Sequence, residues 1–308
     1  MSASDVVVSL QRLTRRFRET VAVDALSFDI NRGELFGIVG PDGAGKTTTL
    51  RMLSGVLPPT TGDARLLDHS VRKSPERVKR EIAYMSQRFG LYEDLTVREN
   101  IMFYADLYRV PRSERPARLE RLYQFSNLAE FEQRLAGRLS GGMKQKLSLC
   151  CALIHHPAIL LLDEPTFGVD PISRRDLWLI LHEMVVEGIT VIVTTSYLDE
   201  AERCDRVAML HRGKLLALDT PEALQQRLAG HMLAVRAEPL YAARNALQQH
   251  PAIATAALFG ETLHVVLRER GTEASVRAAL RDTRIDSIEP VDPSLEDVFI
   301  NLVTAQSP

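Results

Sequence analysis

The chain has 308 residues, 45% of them hydrophobic and 25% charged, and a formal net charge of −2. Such a chain is long and apolar enough to bury a full core, in about two domains. The near-balance of charge gives no basic surface, so nucleic acid is disfavoured as a partner. Three cysteines that fit no metal spacing predict reduced core residues in a cytoplasmic protein, namely Cys150, Cys151 and Cys204.

The region before residue 230 predicts strands that alternate with helices. Strands are predicted at residues 6–13, 25–30, 35–39, 82–85, 159–162 and 190–194. This alternation predicts an α/β fold with a mostly parallel sheet whose faces are covered. Residues 96–156 show helix patterns alone, broken near Pro111, Asn127 and Gly137. We therefore expect a helical insertion in the α/β core, at about residues 89–156.

The pattern changes past Gly230 to the order β-α-β-β-α-β, followed by one more helix. Strands are predicted at residues 232–236, 252–259, 261–268 and 285–291, and helices at 239–249, 273–282 and 294–303. This is the order of a small α+β ferredoxin-like unit. The sequence therefore predicts two domains, at residues 1–228 and 229–308.

A phosphate-binding loop is predicted between the strand at 35–39 and a helix pattern at 47–53, where the sequence reads Gly40-Pro41-Asp42-Gly43-Ala44-Gly45-Lys46-Thr47-Thr48. The glycines allow successive backbone N–H groups to turn towards a polyphosphate. Lys46 adds a cation for the β- and γ-phosphates, and the Thr47 hydroxyl can ligate Mg²⁺. A glycine-rich turn without a ligand is the alternative. The strand before the loop and the helix after it favour a nucleoside triphosphate site.

A second motif is an apolar run that ends in two carboxylates, Ile159-Leu160-Leu161-Leu162-Asp163-Glu164. Such a run predicts a buried strand that places acidic groups at its carboxyl end, beside the phosphate-binding loop. Asp163 can then hold Mg²⁺, directly or through water, and Glu164 can polarise an attacking water. The alternative is a strand that stops at a polar turn.

A third motif, Leu139-Ser140-Gly141-Gly142, opens a predicted helix. Ser140 is a plausible N-cap, and the glycines leave the helix N-terminus accessible to an anion. A simple capping turn is the alternative. One nucleotide cannot easily use two such helix ends of a single chain, so we expect two copies head to tail, each offering this end to the nucleotide of the other.

The order and spacing of these motifs resemble those of ATP-binding cassette (ABC) ATPases, the nucleotide-binding subunits of ABC transporters, over roughly residues 4–225. The resemblance implies a P-loop core of a parallel sheet plus N-terminal antiparallel strands, with ATP and Mg²⁺ as ligands. It also implies that the glycine-rich loop through Thr48 is Walker A. Asp163 then matches the Walker B aspartate, and Glu164 the catalytic glutamate.

The resemblance implies roles for four further sites. Gln87, in Tyr84-Met85-Ser86-Gln87, matches the Q-loop glutamine, which contacts Mg²⁺ and the attacking water. Ser140-Gly141-Gly142 match the signature motif, and Asp170 matches the D-loop. Phe17 stands where the family has an aromatic ring that stacks on adenine, although it could equally be a packed strand residue.

The sequence departs from the family pattern at Ser196, in Val193-Thr194-Thr195-Ser196-Tyr197, where the family has its switch histidine. A serine hydroxyl is shorter than imidazole, stays neutral and cannot carry a proton. We expect hydrolysis to be slowed by about 10²-fold, as when one preorganised donor is removed, or to depend on a partner subunit with an intact site. The alternatives are an ATP-gated dimerising module and a soluble ABC ATPase with slow hydrolysis.

The C-terminal sequence Asp292-Pro293-Ser294-Leu295-Glu296-Asp297-Val298-Phe299 resembles the end of drug-resistance-type cassettes, which power ABC-2 exporters. This implies efflux of a drug-like or other small molecule through a separate ABC-2 type permease. The sequence predicts no leader and no bilayer-spanning run, so we expect a cytoplasmic chain held by that subunit at the cytoplasmic face of the membrane. The same residues predict a capping box between Ser294 and Asp297.

Residues 88–96, just after Gln87, combine apolar and acidic side chains. In the family this region contacts a coupling helix of the membrane subunit, and its position favours that role over an ordinary exposed loop. The second ATPase chain is expected to be either an identical copy or a non-identical cassette.

Overall fold

The structure is a computed structural model that describes residues 5–87, 90–269 and 273–305. The chain divides into two compact units. The second unit begins at Leu216 and also includes Leu198–Glu202, and the first unit comprises the rest. The sequence predicts the domain boundary at residues 228–229, and the second unit begins earlier than that. The predicted boundary therefore stays a prediction.

The first unit contains an antiparallel sheet with the strand order β2-β1-β4-β5. Its strands are β1 (Val6–Phe17), β2 (Thr20–Asn31), β4 (Thr61–Leu66) and β5 (His69–Ser70). Both N-terminal strands are longer than predicted, and β4 and β5 were not predicted. Polar residues and Gly62 interrupt the pattern of β4. That glycine has φ 72, and a Cβ on it would lie 2.1 Å from the Arg12 carbonyl oxygen, so the close pairing of β4 with β1 requires glycine there.

The second sheet has the order β10-β9-β3-β8-β7-β6. Its strands are β3 (Leu35–Val39), β6 (Ile82–Met85), β7 (Ile159–Asp163), β8 (Thr190–Thr195), β9 (Arg206–His211) and β10 (Lys214–Asp219). The strands β3, β7 and β8 are fully buried and pair in parallel, which explains their continuous apolar runs. Their carboxyl ends therefore meet at one edge. The sequence analysis did not assign β9 and β10.

The helices of the first unit are α1 (Lys46–Leu53), α2 (Pro75–Glu81), α3 (Val97–Leu107), α4 (Arg115–Ser126), α5 (Gly141–Leu153) and α6 (Pro171–Val186). The segment from α3 to α5 holds α-helices and two short 3₁₀ turns, as expected for the helical insertion. The helix α3 begins with a capping box of Thr96 and Glu99, and α4 ends at Asn127 in a left-handed conformation.

The second unit contains an antiparallel sheet with the order β12-β13-β11-β14. Its elements are α7 (Leu198–Ala201), α8 (Pro221–Gln226), β11 (Met232–Glu238), α9 (Leu240–Gln249), β12 (Ile253–Phe259), β13 (Thr262–Leu267), α10 (Glu273–Ala279), β14 (Arg284–Pro290) and α11 (Leu295–Ala305). The predicted ferredoxin-like order is therefore confirmed from β11 to β14. The capping box is also present, because the Ser294 N–H donates to Asp297 and the Asp297 N–H donates to the Ser294 hydroxyl. In the part of the chain that the structure describes, no helix is long and apolar enough to span a membrane.

Candidate functional site

The glycine-rich loop connects β3 to α1 at the carboxyl edge of the parallel sheet. Gly40 has φ 153, and a Cβ there would lie 2.2 Å from the Leu210 carbonyl oxygen, so the loop can pass β9 only as glycine. Gly45 precedes α1 with φ 102. The Lys46 side chain is only 4% exposed, and its Nζ donates to the carbonyl oxygens of Gly40 at 2.7 Å and Pro41 at 3.2 Å. The backbone carbonyls of the loop therefore fix the position of the Lys46 ammonium group.

Lys46 also contacts two predicted site residues from other strands. Its Nζ lies 3.2 Å from Glu164 Oε1 and donates to Ser196 Oγ at 2.8 Å. The Ser196 hydroxyl in turn donates to Glu164 Oε1 at 3.1 Å, and Gln87 Nε2 donates to Glu164 Oε2 at 3.1 Å. The Ser196 oxygen also lies 3.4 Å from Asp42 Oδ1. The fold therefore brings the three predicted catalytic residues into one hydrogen-bonded group around Lys46.

The backbone of Glu164 is unusual for a residue with a side chain. Its φ is 49, in the left-handed region that non-glycine residues rarely adopt. The Glu164 N–H is held by Thr194, donating to its carbonyl oxygen at 3.1 Å and its hydroxyl at 3.0 Å. Strain of this kind persists where the surroundings fix it, and it is concentrated at functional sites.

Asp163 lies beside this group and is 1% exposed. Its Oδ1 accepts hydrogen bonds from Thr47 Oγ1 at 2.9 Å and Thr194 Oγ1 at 2.8 Å. Tyr84 OH lies 3.4 Å from Asp163 Oδ2, and burial, followed by the Asp163 charge, raises the pKa of this tyrosine. Tyr84 therefore remains a neutral donor towards the carboxylate.

The Thr47 and Asp163 oxygens fit a magnesium ion better than a transition metal. Mg²⁺ prefers oxygen ligands and is usually bound by one or two carboxylates together with substrate phosphates. Among the described residues, no group of three or more histidine, cysteine or acidic side chains could hold a metal. The donor set at this edge is therefore suited to an ion that arrives with a phosphate ligand.

A pocket of about 750 Å³ opens over the glycine-rich loop. It is lined by the predicted residues Asp42, Gly43, Ala44, Gly45, Lys46, Thr47, Thr48, Gln87 and Glu164. It is also lined by residues that the sequence analysis did not single out, Thr20, Val21, Ala22, Phe167 and Arg212. A cavity of about 810 Å³ lies between α3 and α4 and holds none of the predicted site residues, so the chemistry and not the size identifies the site.

Phe17 is not among the described residues that line this pocket. It ends β1, is 43% exposed, and has the Arg15 guanidinium 4.6 Å from its ring centre. Its cross-strand partner Thr20 does line the pocket, so Phe17 is on the hairpin that forms this wall. The ring is therefore partly exposed beside this wall of the pocket, and its stacking on adenine stays a prediction.

Ser140, Gly141, Gly142 and Asp170 also lie outside the described lining of the pocket. Ser140 caps α5, accepting a hydrogen bond from the Met143 N–H at 3.3 Å. Asp170 caps α6 through the N–H groups of Ile172 and Ser173, and the hydrogen bond from Ser173 lowers the pKa of Asp170. These two helix N-termini lie together, because a Cβ on Gly142 would be 2.2 Å from Ser173 Oγ.

Sequence reasoning missed Thr194, Tyr84 and Arg212 at this site. The sequence places Thr194 at the end of an apolar strand, but only the pairing of β7 with β8 brings it beside Asp163. Tyr84 belongs to the strand before Gln87, but only the pairing of β6 with β7 places it near Asp163. Arg212 lies in a turn without any motif, and its position depends on how β9 and β10 meet the loop.

A glycine-rich loop with a buried lysine, facing an Asp-Glu pair at the edge of a parallel sheet, defines a P-loop nucleotide-binding protein. A family model for the ABC transporter matches residues 23–167, and one for the C-terminal domain of DrrA1-3-like ATP-binding proteins matches residues 220–303. The chain belongs to the family of ABC transporter ATP-binding proteins.

Relatives of known name support this assignment. The chain is 42% identical to the probable multidrug ABC transporter ATP-binding protein YbhF of Escherichia coli (strain K12), over 99% of the chain but only 54% of that protein. It thus spans about half the length of this relative. The chain is 32% identical to the Nod factor export ATP-binding protein I of Ralstonia nicotianae, over 97% of the chain and 94% of that protein.

Solved structures agree with the observed fold. A structure of an ATP-binding subunit of an ABC transporter is 28% identical to this chain, with a TM-score of 0.66. The match covers 72% of this chain and 92% of the chain in that structure. A dimeric post-hydrolysis structure of the ATP-binding cassette MJ0796 with ADP and Pi is 26% identical, with a TM-score of 0.63, and covers 69% of this chain and 98% of its own.

Proposed function

We propose that this chain is the ATP-binding and ATP-hydrolysing subunit of an ABC exporter. The observation that carries the proposal is the group around Lys46, in which the lysine, Glu164 and Ser196 lie within hydrogen-bond reach of one another beside the Thr47–Asp163 pair. Residues 1–228 form the nucleotide-binding domain, with the helical subdomain at about 89–156, and residues 229–308 form an accessory domain.

The phosphates of ATP bind to the loop and to the first turn of α1, through Gly40, Pro41, Asp42, Gly43, Ala44, Gly45, Lys46, Thr47 and Thr48. Backbone N–H groups and the helix N-terminus attract the negative charge, and Lys46 contacts the β- and γ-phosphates. Thr47, Asp163 and Gln87 would hold Mg²⁺, which would neutralise charge on the phosphate oxygens. Phe17 stacks on the adenine ring.

Glu164 acts as the base that accepts a proton from the attacking water, and Gln87 orients that water. In the structure both side chains already face each other at 3.1 Å. Ser196 contacts Lys46 and Glu164 at the position that matches the switch histidine of the family, and its hydroxyl cannot carry a proton as an imidazole can.

Ser140, Gly141, Gly142 and Asp170 act on the nucleotide of a second ATPase chain. Support comes from their position outside the lining of the pocket among the described residues, and from the dimeric structure of the similar cassette MJ0796. Two chains head to tail would close on two ATP molecules and open when the γ-phosphate is lost. The second chain is an identical copy or a non-identical cassette.

The membrane partner is an ABC-2 type permease, and the cassette sits at the cytoplasmic face of the cell membrane. Relatives are named for multidrug transport, Nod factor export and linearmycin resistance, which supports export of a drug-like or other small molecule. Residues 88–96 carry the contact. Tyr92 is 45% exposed and packs edge-on against Phe103 at 4.7 Å, so an aromatic surface is presented beside the Q-loop. Arg88 and Phe89, at the start of the predicted segment, lie outside the described residues.

The test of hydrolysis compares wild type with Glu164→Gln at saturating Mg-ATP. We expect phosphate release to fall by at least about 10²-fold while ATP binding is retained, because only the base is lost. Glu76→Gln, an exposed residue on α2, is the matched control and should release phosphate normally. Wild-type chain that binds ATP and dimerises without phosphate release would favour the dimerising module, for which Ser196 is the supporting observation. Absence of ATP binding would contradict both the hydrolysing subunit and the dimerising module.

The test of coupling uses Tyr92→Ala combined with Leu95→Ala. This pair should leave ATP hydrolysis unchanged and abolish recruitment to membranes that contain the permease, measured by co-sedimentation. Tyr241→Ala removes a more exposed aromatic ring from α9 and should leave recruitment intact. Retained recruitment of the double variant would move the contact elsewhere. Capture of ribosomes in place of membranes would instead point to a soluble ABC ATPase.

A further inference from the structure

The turn between β9 and β10 places one arginine at the nucleotide pocket. Arg212 lines the pocket together with the start of β2 and the glycine-rich loop, yet it belongs to no motif discussed above. Its φ is 48, and the next residue, Gly213, has φ 80, so the chain reverses here through two left-handed residues. Two successive left-handed residues are typical of a tight hairpin turn, and Arg212 in this turn is exposed.

Backbone hydrogen bonds fix this turn against the phosphate-binding loop. The Gly213 N–H donates to the Ala44 carbonyl oxygen at 3.0 Å, and the Asp24 N–H donates to the Gly213 carbonyl oxygen at 2.8 Å. Gly45 packs so closely that a Cβ on it would lie 3.5 Å from the Gly213 Cα. The backbone that carries Arg212 is therefore positioned by the loop itself.

The guanidinium of Arg212 makes no hydrogen bond or ion pair with any residue in the described ranges. Two other cations nearby in the sequence do have ion-pair partners, because Lys214 lies 3.8 Å from Asp24 and Arg206 lies 3.1 Å from Glu34. Lys46 and Arg212 are the two cations among the described lining residues, and the lysine is already paired with Glu164. Arg212 is thus the cation in this lining whose charge is left for a ligand.

The position of Arg212 selects one part of the ligand. The γ-phosphate end of the site is marked by Thr47, Asp163 and Glu164. The turn that carries Arg212 is instead held to Ala44 through the Gly213 N–H, and Arg212 lines the pocket together with Thr20, the cross-strand partner of Phe17. Arginine binds phosphate oxygens with paired N–H donors and stacks on planar rings.

Building on the proposed function, we infer that Arg212 is a nucleotide-binding residue, which contacts the α- and β-phosphate side of a bound nucleoside di- or triphosphate and does not contact the γ-phosphate. The site thereby gains a second cation, which lies in the turn between β9 and β10, on the side of β3 opposite to β8. Its contribution is the same for ATP and ADP, so it holds the nucleotide before and after hydrolysis.

The experiment measures the Kd of ATP and of ADP for purified full-length chain by calorimetry. Arg212→Gln should raise both Kd values by about tenfold and by the same factor. A tenfold change corresponds to the lower end of the free energy expected for a charge-assisted hydrogen bond, as suits an exposed side chain. Lys214→Gln removes the same charge from the same turn and should leave both values unchanged, because Lys214 does not line the pocket.

Three outcomes would overturn the inference, namely unchanged affinities in Arg212→Gln, an equal loss in Lys214→Gln, or a loss confined to ATP. Arg212→Lys keeps the cation and should recover part of the affinity, and it replaces the glutamine variant if that variant melts at a lower temperature without nucleotide. If the wild-type chain binds neither nucleotide, the proposed function is overturned together with this inference. If the wild-type chain binds both nucleotides and Arg212→Gln binds them with the same Kd values, only this inference is overturned.

Discussion

The Ser196 hydroxyl donates a hydrogen bond to Glu164 Oε1 at 3.1 Å. The same hydroxyl oxygen accepts from Lys46 Nζ at 2.8 Å, so the serine links the proposed base to the proposed phosphate ligand. A serine hydroxyl has a single proton, and the hydrogen bond to Glu164 uses it. Ser196 therefore has no donor left for a phosphate oxygen while this arrangement lasts.

Ser196→His is expected to raise steady-state ATP hydrolysis by about 10²-fold, because an imidazole supplies a further donor and can carry a proton. Phosphate release by the purified chain at saturating Mg-ATP measures the rate. Ser196→Ala serves as the control, since it removes the hydroxyl without adding a ring and should not increase the rate. An unchanged rate in Ser196→His would reject the idea that this position limits turnover.

Gly142→Ala and Gly141→Ala form a matched pair at the start of α5. A Cβ on Gly142 would lie 2.2 Å from Ser173 Oγ and 2.5 Å from Ser173 Cβ, whereas the nearest atom to a Cβ on Gly141 is 4.0 Å away. Overpacking should lower the free energy of unfolding of Gly142→Ala by about 1–3 kcal/mol. Gly141→Ala should be neutral or slightly stabilising, since alanine is the better helix residue.

Urea unfolding without nucleotide measures both free energies. Equal stabilities of the two variants would contradict the close contact between α5 and the start of α6. Combining Gly142→Ala with Ser173→Gly should restore part of the loss, because the clashing side chain is then absent.

His155 predicts a pH dependence of stability. Its ring stacks on Tyr108 at 3.7 Å and its Nε2 lies 3.3 Å from the Ile82 carbonyl oxygen. Burial lowers the pKa of His155 from 6.5 to about 4. Between these values the unfolded chain binds more protons than the folded chain, so stability is full above pH 6.5 and is lost as the pH falls towards 4.

This histidine should account for a loss on the order of 2–3 kcal/mol across that window. The measurement is the free energy of unfolding of wild type and His155→Phe at several pH values, where the difference between the two should grow in the variant's favour as the pH falls. His182→Gln, at an exposed position on α6, is the control. A constant difference from pH 7 to pH 4.5 would contradict the prediction.

The three cysteines should be inert towards thiol reagents in the native chain. All three are buried, and burial raises the pKa of Cys150 to about 12 and that of Cys151 well above its ordinary value. The thiolate is the reactive form, so Ellman's reagent at pH 8 should titrate no thiol before denaturation and three after it. Rapid labelling of Cys150 or Cys151 in the native chain would show that α5 opens readily.

The local patterns of the chain predicted much of its fold. The ferredoxin-like order of the second unit was correct because its elements are short and each is marked by a change of periodicity, as at Gly260 between β12 and β13. The sequence did not reveal β4, whose pairing depends on Gly62 fitting against Arg12, or β9 and β10. These strands are defined by tertiary pairing more than by their own pattern.

The same distinction applies to the site. Lys46, Asp163 and Glu164 were predictable because each lies in a contiguous motif whose chemistry can be read directly. Thr194 reaches Asp163 through the register of β7 with β8, and Arg212 reaches the pocket through the packing of a turn on Ala44. Neither relationship is encoded in a short stretch of sequence, so neither was found before the structure.

The 3.2 Å ion pair between Lys46 and Glu164 has a consequence for timing. An arriving polyphosphate that takes the ammonium as its counter-ion deprives the carboxylate of its cation. Binding of the polyphosphate and release of the carboxylate from its ion pair would then be coupled, so that the proposed base becomes available only together with its substrate.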